Sequence, residues 1–155
     1  MQDLAQEARI VQAFPPKVYS ATTAGDYVNM ENYAKATLIL ETGTVTVGTQ
    51  VSIRNAKTYS GSGATAIAAP FVGGKYLKNY TATSATSSTS VHYLVVGNSD
   101  DSTTFVATVD ANALTNGYPY LNAYIVTSAV SGALSGTWVL HGARYQQDAP
   151  PDPRL

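Results

Sequence analysis

The sequence predicts an all-β protein, built as a single antiparallel β-sandwich or jelly roll. Short segments with β-branched and aromatic residues alternate between apolar and polar positions, and Gly, Asn, Asp and Ser separate them at near-regular intervals. A parallel sheet would need long helical crossovers, and the chain contains no pattern of that kind. With 155 residues, the chain is long enough for one hydrophobic core.

The clearest strand lies at residues 118–126. Its two faces carry different residues. One face carries Leu121, Ala123 and Ile125, and the other carries Tyr118, Tyr120 and Tyr124. This period of two predicts a strand with a core face and a tyrosine face. Residues 131–136 contain two glycines and predict a turn, and residues 137–141, with the only Trp, predict the next strand.

The other predicted strands follow the same alternation. They are residues 17–21, 27–30, 34–41, 44–47, 50–56, 75–81, 91–96 and 104–109. Turn residues separate them, among them Gly43, the pair Gly73-Gly74 and the pair Asn116-Gly117. Residues 110–114 predict a short helix or a turn.

The two ends differ from the body, so we expect three parts: residues 1–16, 17–145 and 146–155. In the first part Leu4, Ala8 and Val11 recur at helical spacing and Pro15-Pro16 follows, which predicts a short helix or an arm. The last part is Pro-rich and predicts an extended tail, which is either disordered or laid across another subunit; we favour the second alternative.

Composition excludes several classes of function. Charged residues make up 12% of the chain and the formal net charge is −1, so no basic excess exists to bind a nucleic-acid backbone. No apolar run approaches the length of a membrane span. Cysteine is absent, which excludes disulfides and thiolate metal sites. We therefore expect no direct nucleic-acid partner, no membrane and no cofactor.

Residues able to do chemistry are few, and none forms a recognisable motif. His92 and His141 are the only histidines, each within a predicted strand, and no metal-binding spacing surrounds them. Asp100-Asp101 lies in a polar turn and lacks the alternating oxygen ligands of a calcium loop. These features predict a protein that is not an enzyme.

Tyrosine is unusually abundant, with 11 Tyr against 3 Phe and 1 Trp. Its ring is apolar and its hydroxyl needs a partner, so tyrosine suits surfaces that become partly buried on association. We interpret the tyrosine face of residues 118–124 as a protein interface. Sugar stacking and simple packing remain alternatives. The interface candidates are Tyr118, Tyr120, Tyr124, Tyr145, Pro150 and Pro151.

Several stretches resemble small virion proteins encoded near the major capsid gene of tailed bacteriophages. They are residues 27–33, 36–40, 51–57 and 60–64, and the ending at residues 142–148 that Pro150-Pro151 follows. The resemblance implies a capsid decoration (cement) protein and supplies no active-site residues. It implies a homo-oligomer, a dimer or trimer, made in the host bacterial cytoplasm and bound to the major capsid protein on the virion surface.

Two other functions stay open at this point. One is a connector or tail structural protein of the same particle. The other is a carbohydrate-binding module, or an enzyme acting on host surface glycans. A connector or tail protein would form rings or tubes when purified. A carbohydrate-binding module or an enzyme acting on glycans would show saturable sugar binding.

Overall fold

A computed structural model describes residues 8–45, 49–67, 71–75, 94–96, 102–127 and 132–143. Most of these residues lie in antiparallel strands. The strands are β1 (Ala8–Tyr19), β2 (Thr23–Ala24), β3 (Val28–Asn29), β4 (Tyr33–Val45), β5 (Thr49–Ala56), β6 (Thr65–Ala66), β7 (Phe71–Lys75), β8 (Leu94–Val96), β9 (Thr103–Asp110), β10 (Tyr120–Thr127) and β11 (Gly132–Ala143). A short 3-10 helix, Ala111–Ala113, follows β9, where a helix or turn was predicted.

The strands form two sheets. The first has the order β1-β11-β4-β9-β7, and the second has the order β2-β10-β5-β6, with β3 also paired to β10 and β8 to β5. Strands distant in sequence lie side by side, as in β4 between β9 and β11. This arrangement confirms the predicted antiparallel sandwich.

The core lies between the sheets and is built from the alternate residues of each strand. In the first sheet Leu38, Trp138 and Leu140 are fully buried, and in the second Ile53, Leu121 and Ile125 are. Both groups belong to one cluster. The alternation in β4 and β10 therefore matches the prediction, because the predicted core residues Ala36, Leu38 and Leu40 of β4 and Leu121, Ala123 and Ile125 of β10 are all fully buried.

The helix predicted near the start of the chain is wrong for residues 8–14, which belong to β1. Val11 lies opposite Trp138 in β11, and Phe14 lies opposite Gly136. The apolar spacing fits a period near 3.6, but in β1 the burial alternates with a period of two over residues 10–13, where Val11 and Ala13 are buried and Ile10 and Gln12 are exposed. Residues 1–7 lie outside the described residues.

Pro15 and Pro16 do not end this first element, because β1 lies at the edge of its sheet. The register with β11 shifts between Gln12 and Phe14 and again between Phe14 and Lys17. An edge strand tolerates proline, since on its open side no neighbouring strand needs a hydrogen bond from the N–H that proline lacks. The bulges absorb the remaining irregularity.

Three predicted glycine breaks are also wrong, because the strands run through them. Residues 132–136 open β11 instead of forming a turn, Gly43 lies inside β4, and Gly73-Gly74 lies inside β7. At Gly136 the reason is steric. A Cβ placed there would lie 2.7 Å from Cζ of Phe14, so the glycine leaves room for that ring.

Candidate functional site

The tyrosine face of β10 is the outer face of the second sheet. Tyr120 and Tyr124 are half-buried there and lie opposite Ala56 and Ser52 of β5. Leu121, Ala123 and Ile125 point the other way and are fully buried. The predicted division of this strand into a core face and a tyrosine face is confirmed.

Residues 57–64, which join β5 to β6, form a tight loop beside these tyrosines. The backbone N–H of Lys57 donates to the carbonyl of Ser62 at 3.0 Å, and that of Gly61 donates to the carbonyl of Thr58 at 2.9 Å. Tyr59 of this loop is 46% exposed. Its ring meets that of Tyr120 edge to face, with centroids 6.3 Å apart.

Two cations lie against the tyrosine rings. The guanidinium carbon of Arg54 lies 3.4 Å from the ring centroid of Tyr124, and Nζ of Lys57 lies 5.2 Å from that of Tyr118. Both distances fall within the range for cation–π attraction. The cations therefore fix the orientation of rings that lie at the surface.

A further tyrosine, Tyr27, joins this group from the segment between β2 and β3. A Cβ added at Gly61 would lie 2.8 Å from Cζ of Tyr27, so the loop backbone packs directly on this ring. Gly61 also has a φ of 82°, a conformation that favours glycine. We call the whole patch the tyrosine surface. It consists of Tyr27, Arg54, Lys57, Tyr59, Tyr118, Tyr120 and Tyr124.

Buried polar residues underlie the tyrosine surface. Asn122 is fully buried between Tyr120 and Tyr124, and Ser52 is 6% exposed beside it. Asn122 Nδ2 donates to the carbonyl of Gly25 at 3.5 Å. Asn122 Oδ1, Ser52 Oγ and Arg54 Nε are buried without a hydrogen-bond partner among the described residues. The tyrosine rings of this surface therefore cover a layer of buried polar groups.

Burial raises the pKa of Tyr27 above its ordinary value. The positive charge of Arg54 partly opposes this increase, and Tyr124 adds to it. Burial likewise raises the pKa of Tyr19, whose hydroxyl donates to the carbonyl of Pro15 at 2.7 Å. Both phenols are therefore held in the neutral form more strongly than in the unfolded chain.

We expect the free energy of unfolding to fall as the pH rises above about 10, the ordinary pKa of tyrosine. Above that pH the unfolded chain loses the two protons while the folded chain retains them, so ionisation favours unfolding until the raised pKa values are passed. Urea unfolding across the alkaline range measures the effect. The variant Y27F should lose stability less steeply, and an unchanged slope in a Y19F/Y27F double variant would contradict the assignment.

The structure brings three of the predicted interface residues together. Tyr118, Tyr120 and Tyr124 all belong to the tyrosine surface, whereas Tyr145, Pro150 and Pro151 lie outside the described residues. Sequence reasoning missed the other members. The alternation of β5 places Arg54 on the face of Ser52, but only the pairing of β5 with β10 shows that this face carries the tyrosines.

Neither histidine belongs to this surface. His141 is half-buried on the outer face of the first sheet, where a ring nitrogen lies 3.1 Å from Oγ1 of Thr37. His92 and the pair Asp100-Asp101 lie outside the described residues. Among the residues that are described, no three His, Asp or Glu side chains converge as a metal site would require. No helix in that part of the chain is long and apolar enough to cross a membrane.

Comparisons with known proteins found similarity of structure and none of sequence. No protein family and no curated protein matches the sequence. Among solved structures, the chain is similar to the SPBc2 prophage-derived protein YomS, with a TM-score of 0.49 and 11% sequence identity. The alignment covers 86% of this chain and 93% of that chain. A similarity at this level carries no statement about function.

Proposed function

We propose that the chain is a structural virion protein of a tailed bacteriophage, of the capsid decoration type. It binds the outside of the shell and stabilises the contacts between capsomers, with the major capsid protein as its partner. The observation that supports this proposal most is the tyrosine surface. The resemblance of residues 27–64 and 142–151 to phage virion proteins supports the phage setting.

The composition of the tyrosine surface suits binding to a protein. Interfaces are enriched in Tyr and Arg, and the residues with the largest binding energies are drawn from the same types. The rings of Tyr120 and Tyr124 are already oriented by Tyr59 and Arg54. A partner therefore buries rings that have little freedom left to lose, which lowers the entropic cost of association.

The same surface supplies no obvious catalyst, and the proposal assigns no reaction to this chain. Its members offer phenols, an ammonium group and a guanidinium group held against rings. We propose a homo-oligomer, a dimer or trimer, made in the host bacterial cytoplasm and located on the capsid surface. Several copies of a modest interface reinforce each other when they bind a lattice of identical sites.

The double variant Y120S/Y124S tests the interface. We expect it to bind undecorated heads of the phage that carries its gene at least about tenfold more weakly than the natural chain, because central aromatic contacts carry much of an interface's binding energy. Cosedimentation with heads measures the affinity. Imaging of the natural chain on the same heads should show added density at regular positions.

Val106 offers a matched control, since it is 37% exposed on the outer face of the first sheet. The variant V106S should bind heads as the natural chain does. Equal binding by Y120S/Y124S and the natural chain would show that the tyrosine surface is not the interface. Failure of the natural chain to bind any heads would reject the decoration role itself.

A carbohydrate-binding function is the second candidate, because the exposed ring of Tyr59 stands beside Tyr120 and sugars stack on such rings. Saturable binding to surface glycans of the host, lost in Y59S, would favour it. A connector or tail role instead predicts that the purified chain assembles into rings or tubes.

A further inference from the structure

We propose that the tyrosine surface binds a polyproline segment, and that this segment is the chain's own residues 149–153. The tyrosine surface is also the surface that we propose to bind the capsid, but the new inference does not depend on capsid binding. It concerns what occupies the surface in the free protein.

The first argument is chemical. Pro-rich segments with two prolines three positions apart dock into grooves lined by aromatic side chains, because the polyproline helix is already extended and loses little freedom on binding. The chain carries one such spacing, from Pro150 to Pro153, with Pro151 between them. The rings of Tyr118 and Tyr120 offer the kind of aromatic wall that such segments contact.

The second argument is the path from the end of β11. Ala143 pairs with Tyr33, whose N–H donates to the carbonyl of Met30 at 3.1 Å. The N–H of Met30 in turn donates to the carbonyl of Pro119 at 2.9 Å, and Pro119 adjoins both Tyr118 and Tyr120. The last described residue thus lies at the end of the sandwich where the tyrosine surface begins.

The distance along this path is short enough for the same chain to cover it. The path from Ala143 to Pro119 passes through Tyr33 and Met30 and so has three steps between paired residues. Each step adds about 5 Å, so Pro119 lies on the order of 15 Å from Ala143. The seven residues from Ala143 to Pro150 span about 20 Å at the 3.1 Å rise of a polyproline helix. The prolines therefore reach Tyr118 and Tyr120 without leaving their own subunit.

The third argument is a cleft on this path. It has a volume of about 410 Å³, and its lining includes Met30, Leu114, Tyr118 and Pro119. Met30, Leu114 and Tyr118 give the cleft apolar surface, and Glu31, Asn112 and Thr115 add polar groups to its lining. A prolyl segment presents both apolar rings and backbone carbonyls, so a mixed lining of this kind can contact it. Tyr118 belongs both to this lining and to the tyrosine surface, so the two adjoin at that residue.

The fourth argument is charge. The segment around the prolines carries Asp148, Asp152 and Arg154, two negative charges against one positive, and the tyrosine surface carries Arg54 and Lys57. The ammonium group of Lys57 lies above the ring of Tyr118, which also lines the cleft. Opposite charges on a docked segment and its groove favour one direction of binding over the other.

A spin label on the full-length chain tests the inference. The chain has no cysteine, so the variant L155C provides a single attachment point two residues beyond Pro153. We expect the label to broaden the amide signals of Lys57 and Tyr118 and to leave that of Val106 sharp. Because tethering gives millimolar effective concentrations, even a weak site is mostly occupied.

The matched control carries the same label and the changes P150A, P151A and P153A. Broadening at Lys57 and Tyr118 should be lost in this variant. It should persist when labelled protein is diluted with unlabelled protein, because the contact lies within one chain. The inference would be overturned if L155C showed no broadening or if the proline variant showed equal broadening. It would also be overturned if the broadening were lost on dilution with unlabelled protein.

The test separates the inference from the proposed function. Broadening that appears in a chain unable to bind heads would support the contact and reject the decoration role. Head binding without broadening would support the decoration role and reject the contact. If both are observed, the tail and the shell compete for one surface, and the proline variant should bind heads more tightly.

Discussion

Replacing Trp138 with Ala should lower the free energy of unfolding by about 3–5 kcal/mol, the usual cost of truncating a large buried aromatic side chain. Trp138 is fully buried, in the middle of β11, between Val11 of β1 and Leu38 of β4. Its removal would leave a cavity that two flanking strands, each fixed by its own register, cannot close. Domains are commonly stable by only about 5–15 kcal/mol, so the loss is a large share of the total.

Urea unfolding followed by circular dichroism measures this change without relying on the tryptophan signal. Val139 provides the matched control, because it is the next residue of the same strand and is half-buried on the outer face. We expect V139A to cost less than about 1 kcal/mol, since surface substitutions have small effects. Similar losses in W138A and V139A would show that the core does not lie where the two sheets place it.

Replacing Gly136 with Ala should destabilise the fold by about 1–3 kcal/mol, as overpacking of a tight core does. Three ring atoms of Phe14 lie 2.7, 2.8 and 3.1 Å from the position that the new Cβ would occupy. That ring is 2% exposed and contacts Tyr19 edge to face at 5.7 Å, so it has little room to move. The same change at an unobstructed position would stabilise a chain by roughly 0.4–1 kcal/mol through the unfolded state.

The sign of this effect should therefore depend on Phe14. In a chain that already carries F14L, which lacks the outer ring atoms, G136A should be neutral or stabilising. A double-mutant cycle of thermal or urea unfolding measures the coupling between the two positions. If G136A costs the same in both backgrounds, the glycine is required for another reason than the approach of this ring.

Much of the second sheet's central strand was predictable from local pattern. A period of two is visible wherever one face is apolar and buried and the other is polar, and β10 satisfies this condition with Leu121, Ala123 and Ile125 on its core face. The same is true of Ala36, Leu38 and Leu40 in β4. The tyrosines of β10 were assigned to the outer face for this reason, and they lie there.

The local sequence pattern gave a wrong prediction where pairing with a neighbouring strand decided the structural role of a residue. The apolar residues of β1 fit a helical spacing until β11 pairs with them, and a pair of prolines ends a helix but is tolerated on a sheet edge. Glycine indicates a turn on local grounds, yet Gly136 is required by Phe14, more than a hundred positions away in sequence. No local window contains that information.

The candidate site divides in the same way. The alternation of residues was enough to predict the sandwich, the inward face of β10 and the outward row of Tyr118, Tyr120 and Tyr124, because burial of one strand face imposes a period of two. That Tyr27, Arg54, Lys57 and Tyr59 join this row is visible only in the folded chain. Their positions depend on strand register and loop packing between segments far apart in the chain, which local composition does not encode.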